Sequence, residues 1–246
     1  MSTKTIIAGA AGTAQNEVAK TKTKSNTQAL ATLAHTYHAI SGVEGELTRT
    51  DLRIPTLSIA QGVGPLAEAF RPGNIVLDGQ TLLSAGPDPV TLAVVHTRKF
   101  YQEKLPYGRE QRPMVFETEA DLHAAGGTLE WGPNGEPPTH EPVLEVHLLV
   151  RRPEGAAGDF PYEFNGHEYA TARWFIRGMA YRSAGRTILT TAAQFAVSKK
   201  PLLSARMELS TSKERLRNGN TVAVPQLRVV GKNDDAFCAF AASMVG

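Results

Sequence analysis

The fold is decided by the stretch YATARWFIRGMAY, residues 169–181, along which two kinds of residue alternate. The even-numbered side carries small and apolar residues: Ala172, Trp174, Ile176, Gly178 and Ala180. The odd-numbered side carries basic and large residues: Arg173, Phe175, Arg177, Met179 and Tyr181. Neighbouring side chains of a β-strand point to opposite faces of its sheet. We therefore predict a strand whose even-numbered side faces a core and whose odd-numbered side forms a basic, aromatic surface.

Other parts of the sequence have the same β-like character and are separated by turns rich in Gly and Pro. The predicted strands are Ile54 to Ile59, Asn74 to Leu77, Val90 to Tyr101, a short one around Leu129 to Trp131, Pro142 to Arg152, Leu203 to Thr211 and Thr221 to Val230. The alternation over Pro142 to Arg152 predicts one buried and one exposed face. Pro225 places the last strand at a sheet edge or a bulge. The sequence thus predicts a mainly β (α+β) protein.

Helical patterns are confined to a few segments. We expect a helix over about 27–40, a helical middle of residues 184–197, and a C-terminal helix from Ala236 to Met244 that Asp234 or Asp235 caps. Residues 1–26 are rich in Ala, Thr, Gly and Lys, which is typical of a flexible basic arm. The predicted organisation is therefore an N-terminal arm at 1–26 and a single β-rich domain with flanking helices at 27–246.

Composition excludes several classes of protein. Hydrophobic residues make up 41% of the 246 residues and charged residues 20%, as in ordinary globular proteins. The one cysteine, Cys238, cannot form an intrachain disulfide. No apolar run approaches the ~20 residues of a membrane span. We therefore expect a cytoplasmic protein with no membrane partner.

The net charge of +2 conceals an uneven distribution along the chain. Residues 113–150 contain seven acidic residues and no Lys or Arg, whereas residues 169–207 contain seven basic residues and no Asp or Glu. Asymmetry of this kind indicates an anionic partner or self-association through complementary surfaces.

Motifs for catalysis, metals or cofactors are weak. His35 and His38 have the spacing of a zinc site on a helix, but neither a Glu after the first His nor a pair of Cys accompanies them. Gly62-Val63-Gly64 lacks the third glycine of a dinucleotide fingerprint, and the sequence has no phosphate-binding loop. Glu117 and Glu119 fall on a predicted loop without a partner base. We therefore predict a protein that is not an enzyme and binds no metal or cofactor.

Basic residues next to aromatic residues occur in more than one place. The candidate DNA-binding residues are Arg173, Phe175, Arg177 and Tyr181; Arg98, Lys99 and Tyr101; and Lys213, Arg215 and Arg217. Binders of single-stranded nucleic acid combine a cationic groove with aromatic rings on which bases stack, at roughly 1–3 kcal/mol per base. The alternative is that the arginines are merely solvated and that Phe175 and Tyr181 pack under a neighbouring element. The recurrence of the pattern favours binding.

Two motifs resemble those of tailed-phage proteins. Residues 53–62, RIPTLSIAQG, followed by RPGNI at 71–75, are similar to the opening IPxLxIxQG … xPGDI of a group of early phage proteins. Residues 207–213, MELSTSK, before the turn at Asn218-Gly219 and Val224-Pro225, resemble the closing strands of phage single-stranded-DNA-binding proteins. The resemblance spans about residues 50–232. It implies an OB-like antiparallel barrel or sheet, and it lends weight to Lys213.

The function that this resemblance implies is non-catalytic, sequence-independent binding of single-stranded DNA in phage replication or recombination, in the host cytoplasm. Its implied partners are single-stranded DNA and phage recombination or replication proteins. Many such proteins end in an acidic tail, whereas this chain ends in the apolar residues 236–246, which favours a homo-oligomer contact there. The alternative is a phage structural or assembly protein that self-associates through its arm and charged patches.

Overall fold

The computed structural model describes residues 53–106, 112–216 and 219–244. These residues belong to a compact unit that extends over Thr48–Gly246. The predicted arm at 1–26, the predicted helix at 27–40 with His35 and His38, and the predicted site residue Arg217 lie outside the described residues.

Two antiparallel sheets are formed by the described residues. The smaller contains β1 (Leu57–Ile59), β2 (Ile75–Leu77) and β3 (Thr81–Ser84), in that order. The larger contains β4 (Val90–Glu103), β5 (Val115–Phe116), β6 (His140–Arg151), β7 (Tyr162–Phe164), β8 (His167–Arg177), β9 (Ala205–Arg215) and β10 (Thr221–Lys232). Its strands lie in the order β10-β9-β4-β6-β8-β7, and β5 pairs with the end of β4.

Helices connect and follow the strands. They are α1 (Glu119–Ala124), α2 (Arg186–Val197) and α3 (Asp235–Ser243). A helical turn at Gly178–Ala180 and a π-helical turn at Tyr181–Gly185 lead from β8 into α2. Asp234 caps α3 as predicted, because its carboxylate accepts a hydrogen bond from the backbone N–H of Phe237 at 2.7 Å. Within the described ranges, no helix has the length and apolar character needed to cross a bilayer.

One face of the large sheet, the core face, is apolar and buried. On β6 and β8 it consists of Leu144, Val146, Leu148, Val150, Ala170, Ala172, Trp174 and Ile176. Leu57 of β1, Ile75 of β2 and Ile188 of α2 belong to the same cluster and cover this face. The prediction that the even-numbered side of β8 faces a core is confirmed, since Trp174 is only 4% exposed.

The second face of the large sheet is covered in part by α3. Phe237 of α3 belongs to a second buried cluster with Leu149 of β6 and Tyr169 of β8. The prediction that Pro142 to Arg152 has one exposed face is therefore wrong. The helix covers the side that the alternation predicted to be exposed, and β6 is buried on both faces over most of its length.

Residues 53–61, which we call the strap, join the edge of β10 to the edge of β8 that lies beyond its pairing with β7. The backbone N–H of Arg173 on β8 donates to the carbonyl of Pro55 at 2.8 Å. At the other end, the side-chain amide of Gln61 donates to the carbonyl of Ala223 on β10 at 2.9 Å and accepts from its N–H at 3.0 Å. Gln61 thus pairs with β10 as the backbone of a neighbouring strand would.

The large sheet itself is open. Its edge strands are β10 and β7, and they do not pair with each other within the described residues. The prediction of a mainly β protein with antiparallel sheets and a C-terminal helix is confirmed. The more specific OB-like barrel stays a prediction.

The strand predicted from Leu203 begins only at Ala205, after a 3₁₀-helical turn at Leu202–Ser204. Two other predicted elements differ more from the structure. The strand predicted over 169–181 ends at Arg177, because Gly178 adopts a positive φ of 57° and turns the chain into a helix. Tyr181 consequently lies in the π-helical turn and not on the strand. The short strand predicted around Leu129 to Trp131 is instead irregular and belongs to a loop rich in Gly and Pro between α1 and β6.

Replacing Trp174 with Ala should lower the free energy of unfolding by about 3–5 kcal/mol, because a buried indole would leave a cavity in the core face. Phe175→Ala, one position along the strand, is the matched control. Its side chain is 40% exposed, so the loss should stay near 1 kcal/mol. Urea denaturation measures the free energy of unfolding of both variants. Equal losses for the two would contradict the assignment of Trp174 to the core face and Phe175 to the exposed face.

Candidate nucleic-acid interface

The part of the second face that α3 leaves uncovered carries several of the predicted binding residues. Strand pairing brings them together, since Glu145 of β6 pairs with Arg98 of β4 on one side and with Phe175 of β8 on the other. Arg173 and Arg177 follow on the same side of β8 because side chains alternate with a period of two. We call the surface formed by Arg98, Arg173, Phe175 and Arg177 the arginine face.

Phe175 provides the exposed aromatic ring of the arginine face. Its side chain is 40% exposed, and the guanidinium carbon of Arg173 lies 4.9 Å from its ring centroid. The guanidinium carbon of Arg98 lies 5.7 Å from the ring of Phe100, which is itself buried. Both distances fall within the range of cation–π contacts. The face therefore combines fixed cations with one ring that solvent can reach.

A buried carboxylate, that of Glu145, lies among the arginines. Only 5% of its side chain is exposed. Its oxygens are 3.5 Å from Nε2 of His147, 3.6 Å from Nη1 of Arg173 and 3.8 Å from Nη1 of Arg98. The hydrogen bond from His147, followed by the charges of His147, Arg173 and Arg98, lowers the pKa of Glu145 against the opposing effect of burial. Glu145 is thus ionised at neutral pH and holds the arginines in place.

The arginines differ in how far their charge is compensated. Arg98 pairs with Glu117 as well as with Glu145. Arg173 pairs with Glu145, and its buried Nε has no hydrogen-bond partner among the described residues. Arg177 is exposed and forms no ion pair within the described part of the chain. Its charge is the one most available to a ligand.

A cleft of about 1020 Å³ borders the arginine face. Phe175 and Arg177 line it from β8, and the strap and β10 line it from the other side. Further lining residues are Thr56, Gln61, Val63, Met179, Thr221 and Ala223. An exposed ring and an uncompensated guanidinium at the wall of such a cleft can hold an unpaired base and its phosphate.

Lys99, Tyr101 and Tyr181 lie on the other side of the sheet. Lys99 pairs with the core residue Leu144, and its Nζ lies 4.9 Å from the ring centroid of Tyr101. A hydrogen bond with Tyr101 raises the pKa of Lys99. Tyr181 packs against the core cluster, so the prediction that it shares a strand face with Phe175 is wrong. The structure therefore separates these three residues from the arginine face.

Lys213 and Arg215 lie on the hairpin of β9 and β10 beside the cleft. Lys213 pairs with Ala223 and Arg215 with Thr221, and both of these β10 residues line the cleft. The two basic side chains are exposed. Neither basic side chain lines the cleft itself, but both lie on the strand pair that borders it.

The sequence reasoning missed Glu145 as part of this site. The acidic segment at 113–150 and the basic segment at 169–207 look separate in the sequence, but β6 pairs with β8 along nine residues and joins them. The sequence did contain a signal for this pairing. The two strands carry opposite charges at alternate positions, and opposite charges on paired strands stabilise each other.

Among the described residues there is no group of three or more His, Cys, Asp or Glu that could hold a metal ion. Comparisons with protein-family models, with curated proteins and with solved structures found no match to this chain. The resemblance to phage single-stranded-DNA-binding proteins therefore stays a prediction from the sequence motifs.

Glu145→Gln should destabilise the protein by about 1–3 kcal/mol at pH 7, because two arginines and His147 lose their shared carboxylate. The lowered pKa in the folded state means that this stabilisation is present above the unfolded pKa and is lost as pH falls through the folded value. Wild-type stability should therefore fall more steeply than that of the variant below pH 4.5.

Urea denaturation at several pH values measures this effect. Glu117→Gln is the control, because its carboxylate is 56% exposed and its ion pair with Arg98 should contribute no more than about 1 kcal/mol. If the free energy of unfolding of wild type and of Glu145→Gln changed with pH in parallel, the ionised carboxylate of Glu145 would not be stabilised by its neighbours.

Proposed function

We propose that this protein binds single-stranded DNA without sequence preference and without catalysis, using the arginine face and the adjoining cleft. The observation that carries the proposal is the placement of an exposed ring, Phe175, and an uncompensated cation, Arg177, on the wall of one large cleft. Bases stack on any aromatic ring regardless of sequence, and cations track the phosphates. Unpaired strands are required, because a ring cannot stack on bases that remain paired within a duplex.

The ion pairs of Glu145 refine the roles of the arginines. Arg173 is held between Glu145 and the ring of Phe175, so we assign it to the stacking platform. Arg98 is held by two carboxylates and contributes little net charge. Arg177 from β8, with Lys213 and Arg215 from the hairpin, supplies the phosphate contacts. The affinity for single-stranded DNA should therefore fall only moderately as the salt concentration rises, because few charges contact phosphates.

An open antiparallel sheet is compatible with this function. Four-stranded sheets that stack bases on exposed aromatic residues form one of the common RNA-binding modules. The OB-like part of the proposal is supported by the strap, which links the edges of β8 and β10 and makes the enclosure of the core barrel-like. The phage context, in replication or recombination within the host cytoplasm and together with phage replication or recombination proteins, is proposed from the sequence motifs.

Self-association belongs to the proposal and is also the basis of the alternative function in phage assembly. Val229 and Val230 on β10 are 42% and 36% exposed, at a strand that is an edge of the large sheet. Exposed edge strands with apolar side chains pair readily with a second chain. Salt-sensitive binding of oligonucleotides favours the first function, whereas assembly into regular particles or tubes without nucleic acid, seen by light scattering and electron microscopy, favours the second.

Phe175→Ala should weaken binding of oligo-dT by roughly 5- to 150-fold, which corresponds to the loss of about 1–3 kcal/mol of stacking. Fluorescence anisotropy with labelled oligo-dT and a matched duplex measures this loss. The wild type should prefer the single strand. Equal affinity for both DNAs, or an unchanged affinity of Phe175→Ala, would contradict the proposal.

Arg177→Ala should reduce the slope of log affinity against log salt by about 0.7, the value for one lost phosphate contact on a single strand. Arg173→Ala should change the slope less, because Glu145 already compensates its charge. Arg186→Ala, an exposed arginine at the start of α2 and outside the cleft, is the control and should leave the slope unchanged. An unchanged slope for Arg177→Ala would show that Arg177 does not contact a phosphate of the bound strand.

A further inference from the structure

A second, smaller cavity lies at the opposite end of the second face, beside α3. Its volume is about 240 Å³. Its polar lining includes Arg151, His167, Arg206, Lys232, Asn233 and Asp234, and we call this cavity the basic pocket. It shares no lining residue with the cleft beside the arginine face. The two sites are therefore distinct.

The strand order builds the basic pocket. Thr91 and Ala93 of β4 are small residues that line it. Arg206 projects from β9 and Arg151 from β6, the two strands that flank β4 in the sheet. Phe237 of α3 adds an apolar wall. Long basic side chains on both sides of a row of small residues leave a recess whose rim is cationic.

The charges of the basic pocket are poorly compensated. Arg151, Arg206 and Lys232 form no ion pair within the described residues, whereas the neighbouring Arg152 and Arg228 pair with Glu168 and Glu208. Within that part of the chain, the cations of the basic pocket thus lack the ion pairs that their neighbours have.

Two polar groups of the lining have fixed roles. Asp234, the acid of the lining, is committed to capping α3. Nη2 of Arg151 lies 3.1 Å from Nδ1 of His167, to which it donates because a guanidinium has no acceptor. Three positive charges and one negative charge therefore give the lining a net charge of +2.

A glycine sets the position of Arg206. β10 has a bulge between Val229 and Gly231, and this places Gly231 opposite Arg206 on β9. A Cβ at position 231 would lie 2.9 Å from Nη2 of Arg206. The guanidinium thus packs directly on the backbone of Gly231, and any side chain at this position would displace it.

We propose that the basic pocket binds a phosphomonoester group, either that of a free mononucleotide or that at the phosphorylated 5′ end of a DNA strand. A phosphomonoester carries a charge of about −1.5 to −2 at pH 7, which matches the net charge of the lining, whereas one carboxylate would leave it half compensated. Arginine guanidinium groups bind phosphate oxygens through paired N–H donors. The volume is below the about 300 Å³ at which pockets for drug-sized ligands begin, so one anionic group enters.

The proposal does not depend on the proposed function of the arginine face, because it can be tested without DNA. The melting temperature of the full-length protein is measured in increasing inorganic phosphate and in increasing thymidine 5′-monophosphate, against sodium chloride at the same ionic strength. A ligand that binds the folded state raises the melting temperature in a saturable way. The basic pocket predicts this rise for both phosphate compounds.

Variants assign the effect to the basic pocket. Arg206→Gln should weaken phosphate binding at least about tenfold, the loss expected for one charge-assisted hydrogen bond. Gly231→Ala should weaken it as well, without a change of charge, by displacing the guanidinium. Arg228→Gln removes the same charge from the adjacent strand outside the pocket and should bind phosphate like the wild type. No saturable rise in the wild type, or a rise that survives both Arg206→Gln and Gly231→Ala, overturns the proposal.

Oligo-dT with and without a 5′ phosphate separates the two sources of the ligand. A preference for the phosphorylated strand that Arg206→Gln abolishes identifies a DNA end, whereas equal affinity of the two strands together with binding of the mononucleotide identifies a free nucleotide. Failure of the proposed function is distinguishable, because it would abolish binding of the unphosphorylated oligo-dT and leave the response to inorganic phosphate intact.

Discussion

The backbone groups at the free edges of β8 and β10 need hydrogen-bond partners, and the strap supplies them. Pro55 satisfies the N–H of Arg173 at one edge, and the amide of Gln61 satisfies both backbone groups of Ala223 at the other. Because the same segment contains β1, these contacts also hold Leu57 over the core face. The strap therefore helps to decide which side of the large sheet becomes the interior, and it leaves the second side to be covered in part by α3.

The carboxylate of Glu145 gives the second face its functional character. A buried ionised group is tolerated only with partners, and Arg98, Arg173 and His147 fulfil that need. The charges of Arg98 and Arg173, which the sequence predicts to bind DNA, are thereby partly compensated. The position of Arg173 is also fixed relative to Phe175. The face gains a rigid platform and keeps a small net charge, so that under the proposed function stacking, more than electrostatic attraction, provides the affinity.

Local patterns in the sequence were sufficient for some parts of this arrangement. The alternation around Trp174 predicted the core side of β8, and the pair Asp234-Asp235 before Ala236 predicted an acidic cap of α3, which Asp234 provides. The turn at Asn218-Gly219 predicted the hairpin of β9 and β10, whose paired strands the structure contains. Each of these signals lies within a few residues of the feature that it predicts.

Other parts depend on contacts between residues far apart in the sequence. Gln61 and Ala223 are 162 positions apart, so no local pattern indicates their pairing. The ion pairs of Glu145 follow from the antiparallel register of β6 and β8, which alternation alone does not fix. Tyr181 was assigned to the wrong surface because the effect of Gly178 on the chain direction depends on a backbone conformation that glycine permits but does not require.

The central claim is that nucleic acid lies on the arginine face and not on the side of the sheet that carries Tyr101 and Tyr181. Ultraviolet crosslinking of oligo-dT, followed by tryptic digestion and mass spectrometry, tests it directly. Cleavage after Lys99, Arg173 and Arg177 places Phe175, Tyr181 and Tyr101 in three different peptides: 174–177, 178–182 and 100–104. The arginine face predicts that thymine is attached to peptide 174–177, and attachment to either tyrosine peptide in its place would contradict the claim.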